Sequence, residues 1–475
     1  MAHAAAAIAW CYGATIREAF PCLRGATDES AQASPSDPSD ESHMFASLML
    51  ARRFAPLFWC QFFSAFNDNF VKNILVILVL FKLGGAQAGT LVTLANAFLV
   101  VPFFLFSGVA GELADRFDKA FVARRVKAVE IAVAAVAAAG LYVHSLPVMY
   151  AALFGLGVIA ALFGPIKYGI LPDHLRPQEL PAANALIEGA TFLAILGGTI
   201  AGGLAIGSSD EGTVALAMVA IALLCWISSL LIPHTGEAAP TLAVQRNILR
   251  STTALMRVLS QERRLLRAAL GVSWFWLTGA VTLSLAPTLV KQNVGGSEDV
   301  VTLVLALFSI GIGIGSAGAA MLARGRIILW PVPLAAALIA GFALDLGLAA
   351  GGLGPPSHAV GVPELLGQFW GVRLAVDFVG LAVAAGLFVV PLFAALQAWS
   401  PGAQRARVVA GTNVLNALFM TVAALLTAAL QAAGVQAPAL IALLGLLNAA
   451  VAGLIFFAFP GLKRVRMPSD HASSS

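Results

Sequence analysis

Apolar residues in this chain run in long, unbroken stretches. Residues 73–81 read NILVILVLF and residues 98–106 read FLVVPFFLF. A membrane β-barrel shows short alternating segments instead. A helix crossing a bilayer needs roughly 20 apolar residues. The pattern predicts helices near 55–81, 87–110, 120–143, 147–171, 183–206 and 213–233, then near 268–290, 299–323, 327–350, 370–398, 406–433 and 436–459. A polar segment, 234–266, separates the two sets. The expected fold class is therefore an all-α polytopic membrane protein, with twelve transmembrane helices in two six-helix halves.

Composition excludes the other classes. Of 475 residues, 59% are hydrophobic and 11% charged, where an ordinary soluble domain has roughly 25% charged. Mean hydropathy is +0.89. A soluble surface of this size cannot be wetted with so few charges, and a disordered chain is less apolar. The four cysteines, Cys11, Cys22, Cys60 and Cys225, are scattered, fit no metal spacing and read as small hydrophobes.

The basic residues then orient the spans. Arg52, Arg53, Arg116, Lys119, Arg124, Arg125, Lys127 and Arg176 fall on one side. The Arg-rich segment 234–266, Arg324, Arg326, Arg405, Arg407, Lys463, Arg464 and Arg466 join them, while the other side has little beyond Lys82, Lys291 and Arg373. The positive-inside rule makes that side, and both termini, cytoplasmic. Residues 1–43 are expected to be a disordered extension, since 27–42 are polar, acidic and proline-containing. Met44 stands just before the first membrane-like pattern, so a mis-assigned start codon is one account of 1–43. The domains expected are 44–233, a basic cytoplasmic linker 234–266 lying as an anchor along anionic headgroups, 267–462, and a tail 463–475.

Polar residues inside the apolar spans are the candidates for chemistry. QFFSAFNDNFVKN (61–73) places Asn67, Asp68, Asn69, Lys72 and Asn73 in the first span. A charge near mid-membrane costs roughly 2.5–3.5 kcal/mol on insertion scales. Asp68 and Lys72, four apart, share a face and can neutralise each other, but the cluster exceeds what packing needs and reads as a face on a water-filled cavity. Pro165 is expected to break the fourth helix near Lys167. Lys167 and Glu188 come to similar depth on neighbouring helices, where they either pair or Lys167 snorkels to the interface. Arg373 and Asp377 are a second candidate pair. Asn413 and Asn416 either line the cavity or bond between helices. Trp274 and Trp276 suit core or lipid equally. Gly198, Gly202, Gly311, Gly313 and Gly315 read as close helix contacts.

Between the second and third spans, Gly111-Glu-Leu-Ala-Asp115-Arg116-Phe-Asp-Lys119 resembles the signature loop of the major facilitator superfamily, Gly-x-Leu-Ala-Asp-Arg-x-Gly-Arg, with Asp118 and Lys119 as departures. The eighth and ninth spans meet at a weaker echo, GSAGAAMLARGRI (315–327), and six-plus-six repeats are that superfamily's architecture. The resemblance implies a gate at Gly111, Asp115, Arg116 and Lys119, with Asp115 pairing with arginine and a partner helix N-terminus. QFFSAFNDNFVKN, GPIKYGILP, ANALIEGATFLAILGGTIAGG, SWFWLTGA, TLVLALFSIGIGIGS and NVLNALFM are more specific. Together, over roughly 54–460, they resemble the lysophospholipid transporter branch, in particular its version fused to acyltransferase and acyl-carrier-protein synthetase domains.

That resemblance implies inward movement of lysophospholipids across the bacterial inner membrane, for reacylation on the cytoplasmic face. It makes Asp68, Asn69, Lys72, Lys167 and Glu188 candidates to hold the headgroup. The membrane and a separate cytoplasmic acyltransferase are the implied partners, with no nucleic acid, cofactor or metal. Catalysis within the chain is not expected. None of the seven histidines has an aspartate five residues on, as a glycerolipid acyltransferase needs for its base, and no phosphate-cradling loop is present. Two other readings are a proton-coupled transporter of a soluble small molecule, with Asp68 or Glu188 titrating, and a scaffold that docks an acyltransferase.

Overall fold

The computed structural model describes residues 38–83, 86–208, 210–245, 247–353 and 359–458. Two compact units divide the chain, Met1–Met44 and Phe45–Ser475. The described residues of the first begin helix α1 (Pro38–Leu50). The disorder expected for 1–43 therefore meets a helix at Pro38, and its remainder, like the tail 463–475, lies outside the described residues.

The regular structure in the described part of the second unit is helical, apart from an isolated bridge between Gly296 and Val360. Its helices are α2 (Ala55–Leu83), α3 (Ala86–Arg116), α4 (Lys119–Tyr142), α5 (Leu146–His174), α6 (Leu180–Ser208), α7 (Glu211–Leu230) and α8 (Ile248–Gln261). There follow α9 (Arg263–Leu289), α10 (Glu298–Ala323), α11 (Pro331–Gly351), α12 (Val362–Gly367), α13 (Phe369–Trp399), α14 (Arg405–Ala432) and α15 (Ala437–Ala458). Among the described residues, twelve of these are at least 20 residues long, matching the expected spans. Eleven helical segments are long and apolar enough to cross a membrane. The twelfth long helix, α4, has the length but carries Lys119, Arg124, Arg125, Lys127 and Glu130 in its first half. The all-α polytopic fold expected from the pattern is observed.

Close packing follows from small residues. A Cβ on Gly202 of α6 would stand 2.8 Å from the Phe70 carbonyl oxygen, and one on Gly311 of α10 would stand 2.7 Å from Ala382 Cβ of α13. These glycines let helix backbones approach where side chains would hold them apart. α5 runs continuously through Pro165 and Pro172, so the break expected at Pro165 is absent. Helix ends are capped locally. Asp118 caps α4 by accepting from Phe121 N at 2.7 Å, and Asp210 caps α7 by accepting from Thr213 N at 2.8 Å.

The central segment contains a further helix. Residues 248–261 form a helix whose Ser251, Leu255 and Leu259 are buried at four-residue spacing. α8 lies on α3 and α14, where Gly108 and Gly411 leave room for it. A Cβ on Gly108 would stand 2.6 Å from Ser251 Oγ, and one on Gly411 2.7 Å from Leu255 Cδ2. Ser251 Oγ donates to Glu112 Oε1 at 2.9 Å, and Gln245 N donates to Glu112 Oε2 at 2.7 Å. The segment is folded across two spans from opposite halves of the sequence. Four-residue apolar spacing makes a helix there, and glycines on both spans provide its seat.

Candidate functional site

A cavity of about 330 Å³ lies among α2, α3, α5, α6, α9 and α14. Helix α2 presents Gln61, Ser64, Asp68 and Lys72 to it, a spacing of three and four that keeps them on one face, with Asn69 beside them. α5 adds Lys167 and Tyr168, α9 adds Trp276, and α14 adds Asn413 and Asn416. Leu99, Val100, Phe103 and Ile195 make apolar walls. One side is thus charged and amide-rich, and the rest is apolar, as ligand sites commonly are.

Four of the five residues expected to hold a headgroup line this cavity: Asp68, Asn69, Lys72 and Lys167. Glu188 is fully buried behind it and accepts a hydrogen bond from the Tyr168 hydroxyl. The hydrogen bonds differ from the candidate pairings. Lys72 Nζ donates to Asn69 Oδ1 at 2.9 Å, within one helical turn, and Asp68 Oδ1 is buried with no hydrogen-bond partner. Lys167 Nζ lies 4.7 Å from the Tyr168 ring centroid, and no ion pair among the described residues joins it to Glu188. Tyr168 holds Glu188 itself and stacks on Phe393 of α13, with centroids 4.3 Å apart. Arg373 pairs with Asp345 of α11, Nε to Oδ2 2.9 Å, in place of Asp377 on its own helix. Asn416 does both things expected of it, lining the cavity and accepting from Ser273 Oγ at 2.8 Å. Trp274 Nε1 donates to Asn448 Oδ1 at 2.9 Å, so this tryptophan ties α9 to α15.

Sequence reasoning missed one charged pair. Lys127 was counted only among the basic residues that orient the spans. Within α4 it is fully buried, with Nζ 2.7 Å from Glu130 Oε2 and 2.7 Å from Ser64 Oγ. Positions 127 and 130, three apart on a helix face, carried the signal. The run of basic residues before them concealed it.

At the end where the basic loops gather, two of the expected gate residues, Gly111 and Asp115, meet α14. Asp115 is fully buried. Its Oδ1 accepts from Ala406 N at 2.9 Å, and its Oδ2 accepts from Arg407 N at 3.2 Å and Arg407 Nε at 2.9 Å. The carboxylate thus sits on the N-terminus of a helix from the other half, where the helix dipole favours it. Gly111 makes this approach possible, since a Cβ there would stand 2.7 Å from Ala410 Cβ. Lys119 Nζ pairs with Asp173 at 2.9 Å, and Asp173 also pairs with Arg405 at 2.7 Å. Arg116 lies over the Phe117 ring at 5.1 Å. The departure at Asp118 has its own partner: its carboxylate accepts from Thr235 N at 2.7 Å and Gly236 N at 2.9 Å in the central segment. Burial works to raise the Asp118 pKa, but the N–H donors of Phe121, Thr235 and Gly236 outweigh it and hold the carboxyl below its usual value. Further in, Asn184 and Gln397 exchange side-chain amide bonds of 2.8 and 3.0 Å between α6 and α13.

The sequence profile of the Major Facilitator Superfamily matches residues 57–362. This chain belongs to the Major Facilitator Superfamily. Among curated relatives, this facilitator is 29% identical over 279 residues to the lysophospholipid transporter LplT of Pectobacterium carotovorum, a match covering 58% of this chain and 66% of that one. It is 28% identical over 274 residues to the protein of the same name in Yersinia pestis, covering 57% and 65%. The matched stretch spans slightly less than two thirds of each relative. The human organic anion transporter MFSD10 has a similar fold, with TM-score 0.66 at 16% identity over 86% of this chain and 98% of that one. The transporter FucP in its outward conformation has TM-score 0.63 at 12% identity, over 84% and 97%.

Proposed function

We propose that this facilitator moves lysophospholipids inward across the bacterial inner membrane by alternating access. Residues 44–233 and 267–462 rock against each other around the cavity. The lipid phosphate meets Lys72 and Lys167, and an amine on the headgroup meets Asp68, whose inner oxygen has no protein partner. Asn69 holds Lys72 in place, and Glu188 holds Tyr168. The acyl chain stays against apolar walls such as Leu99, Phe103 and Ile195 or in the bilayer. Gly111, Asp115 and Lys119 close the cytoplasmic end, Arg116 lies beside them over the Phe117 ring, and both chain termini lie on that side.

The observation that carries this reading is the division of one cavity into a face bearing Asp68, Lys72 and Lys167 and a wall of aliphatic and aromatic side chains. An amphiphile with a charged head needs both. The relatives named as lysophospholipid transporters point to the same substrate. The test is uptake of labelled lysophosphatidylethanolamine by transporter-deficient spheroplasts expressing the chain, beside Asp68→Asn and Lys167→Ala. Uptake in wild type and its loss in both variants is expected. No uptake by folded, membrane-inserted protein refutes the lipid substrate and favours a soluble solute. Full uptake in both variants refutes the site assignment.

A further inference from the structure

The headgroup reading leaves one pair of buried charges without a role. Lys127 and Glu130 of α4 are both at 0% exposure, Nζ to Oε2 2.7 Å. Lys127 Nζ donates to Ser64 Oγ at 2.7 Å and stands 4.1 Å from the Phe163 ring centroid. Ser64 and Phe163 are both cavity-lining residues. The ammonium therefore sits one side chain behind the cavity wall. Glu130 lies beside it, with Cys225 Sγ 4.0 Å from Oε2 and no hydrogen-bond partner for Oε1. The titratable groups that act on the pair are Cys60 and Asp68 from α2, Lys167 from α5 and Cys225 from α7.

A dry ion pair is a poor stabiliser. Desolvation costs several kcal/mol per ion, and an apolar pair of like volume commonly does as well or better. Within a bilayer such residues mark ion pathways and proton relays. The geometry supplies the reason here. A phosphate entering the cavity competes with Glu130 for Lys127 across the thin layer of Ser64 and Phe163. Once Lys127 turns to the phosphate, Glu130 is a lone carboxylate in apolar surroundings, and a group so placed neutralises.

We infer that Lys127 and Glu130 form a proton-binding site linked to occupancy of the cavity by a phosphate. Lys127 keeps its proton and moves from carboxylate to phosphate. Glu130 takes one proton from water, –COO⁻ becoming –COOH. By linkage the effect is reciprocal, so the proton strengthens phosphate binding as the phosphate strengthens proton binding. The inference rests on the lipid reading above for the source of the phosphate.

The test is calorimetric titration of the purified full chain in detergent with a short-chain lysophosphatidylglycerol, in two buffers of one pH and different ionisation enthalpy. This headgroup carries a phosphodiester that stays anionic at neutral pH and no amine, so any proton counted belongs to the protein. About one proton taken up per lipid is expected, with affinity falling about tenfold per pH unit as pH rises through the range of uptake. Glu130→Gln is expected to bind with no proton uptake and no slope. Should that variant fail to fold, the charge-neutral double change Lys127→Met and Glu130→Gln is expected to bind more weakly, also without uptake. Wild type that binds with no proton overturns the inference and leaves the lipid reading standing. Wild type that does not bind overturns both. Glycerophosphoglycerol is the third arm: proton-linked binding as tight as the lipid's keeps the linkage and assigns the phosphate to a soluble ester.

Discussion

Replacing Asp115 by alanine removes the contact that joins α3 to the N-terminus of α14. The carboxylate makes two bonds of 2.9 Å, from Ala406 N and Arg407 Nε, and a longer one of 3.2 Å from Arg407 N. Counting only the two short ones, at the low end for bonds to a charged group, gives about 3 kcal/mol. At about 1.4 kcal/mol per decade, the ratio of closed to open at that end falls by about two decades. Asp115→Asn keeps an acceptor for Ala406 N but loses the charge, and about half the effect is expected. Spin labels at Phe121 and Ala403, both exposed near that end in opposite halves, report the change as a distance distribution. Wild type is expected to show one short distance, and Asp115→Ala a second, longer population. Identical distributions in the two proteins would refute the idea that this carboxylate holds the halves together.

Gly411→Val is expected to unseat α8, because a Cβ there would stand 2.7 Å from Leu255 and 3.2 Å from Met256; faster proteolysis between 234 and 262 is the readout. Gln397→Leu leaves Asn184 without its cross-half partner and is expected to cost about 1–3 kcal/mol, read as a lower melting temperature. Lys127→Ala strands Glu130 and is expected to cost about 3–5 kcal/mol, with most of the loss recovered by adding Glu130→Gln; equal losses in single and double variants would show the pair is not coupled. Asp118 has a lowered folded pKa, so its contribution is present above the unfolded carboxyl pKa of about 3.9 and is lost as pH falls through the folded value. Melting temperature measured downward from neutral pH is expected to fall less in Asp118→Asn than in wild type.

The pairing of charges was less legible than their existence. Asp68 with Lys72, Lys167 with Glu188 and Arg373 with Asp377 were candidate pairs because they share a face or a depth. In the fold, Lys72 takes Asn69, Glu188 takes Tyr168, and Arg373 takes Asp345 on a neighbouring helix. Spacing restricts which residues can meet, but a long side chain has several partners within reach, and the neighbouring helix decides among them. The pairing of Lys127 was missed for the converse reason. Its sequence neighbours are loop-like in charge, yet α4 begins at Lys119, which carries Lys127 two turns into the packed bundle.

What the sequence alone determined is the set of spans and the polar face of α2. Both depend on local terms, the transfer of apolar side chains into hydrocarbon and the 3.6-residue period, and neither needs a partner helix to be known. The Asp115 loop was legible for the same reason, as a short contiguous motif. Tertiary structure alone decided that Trp276, Asn413 and Asn416 meet that face across the cavity, that α8 bridges α3 and α14, and that Lys127 stands behind Ser64. Each of these joins positions more than 60 residues apart, 63 for Lys127 and Ser64. Such contacts arise from how glycine-lined helices fit against one another, a geometry that no single helix contains.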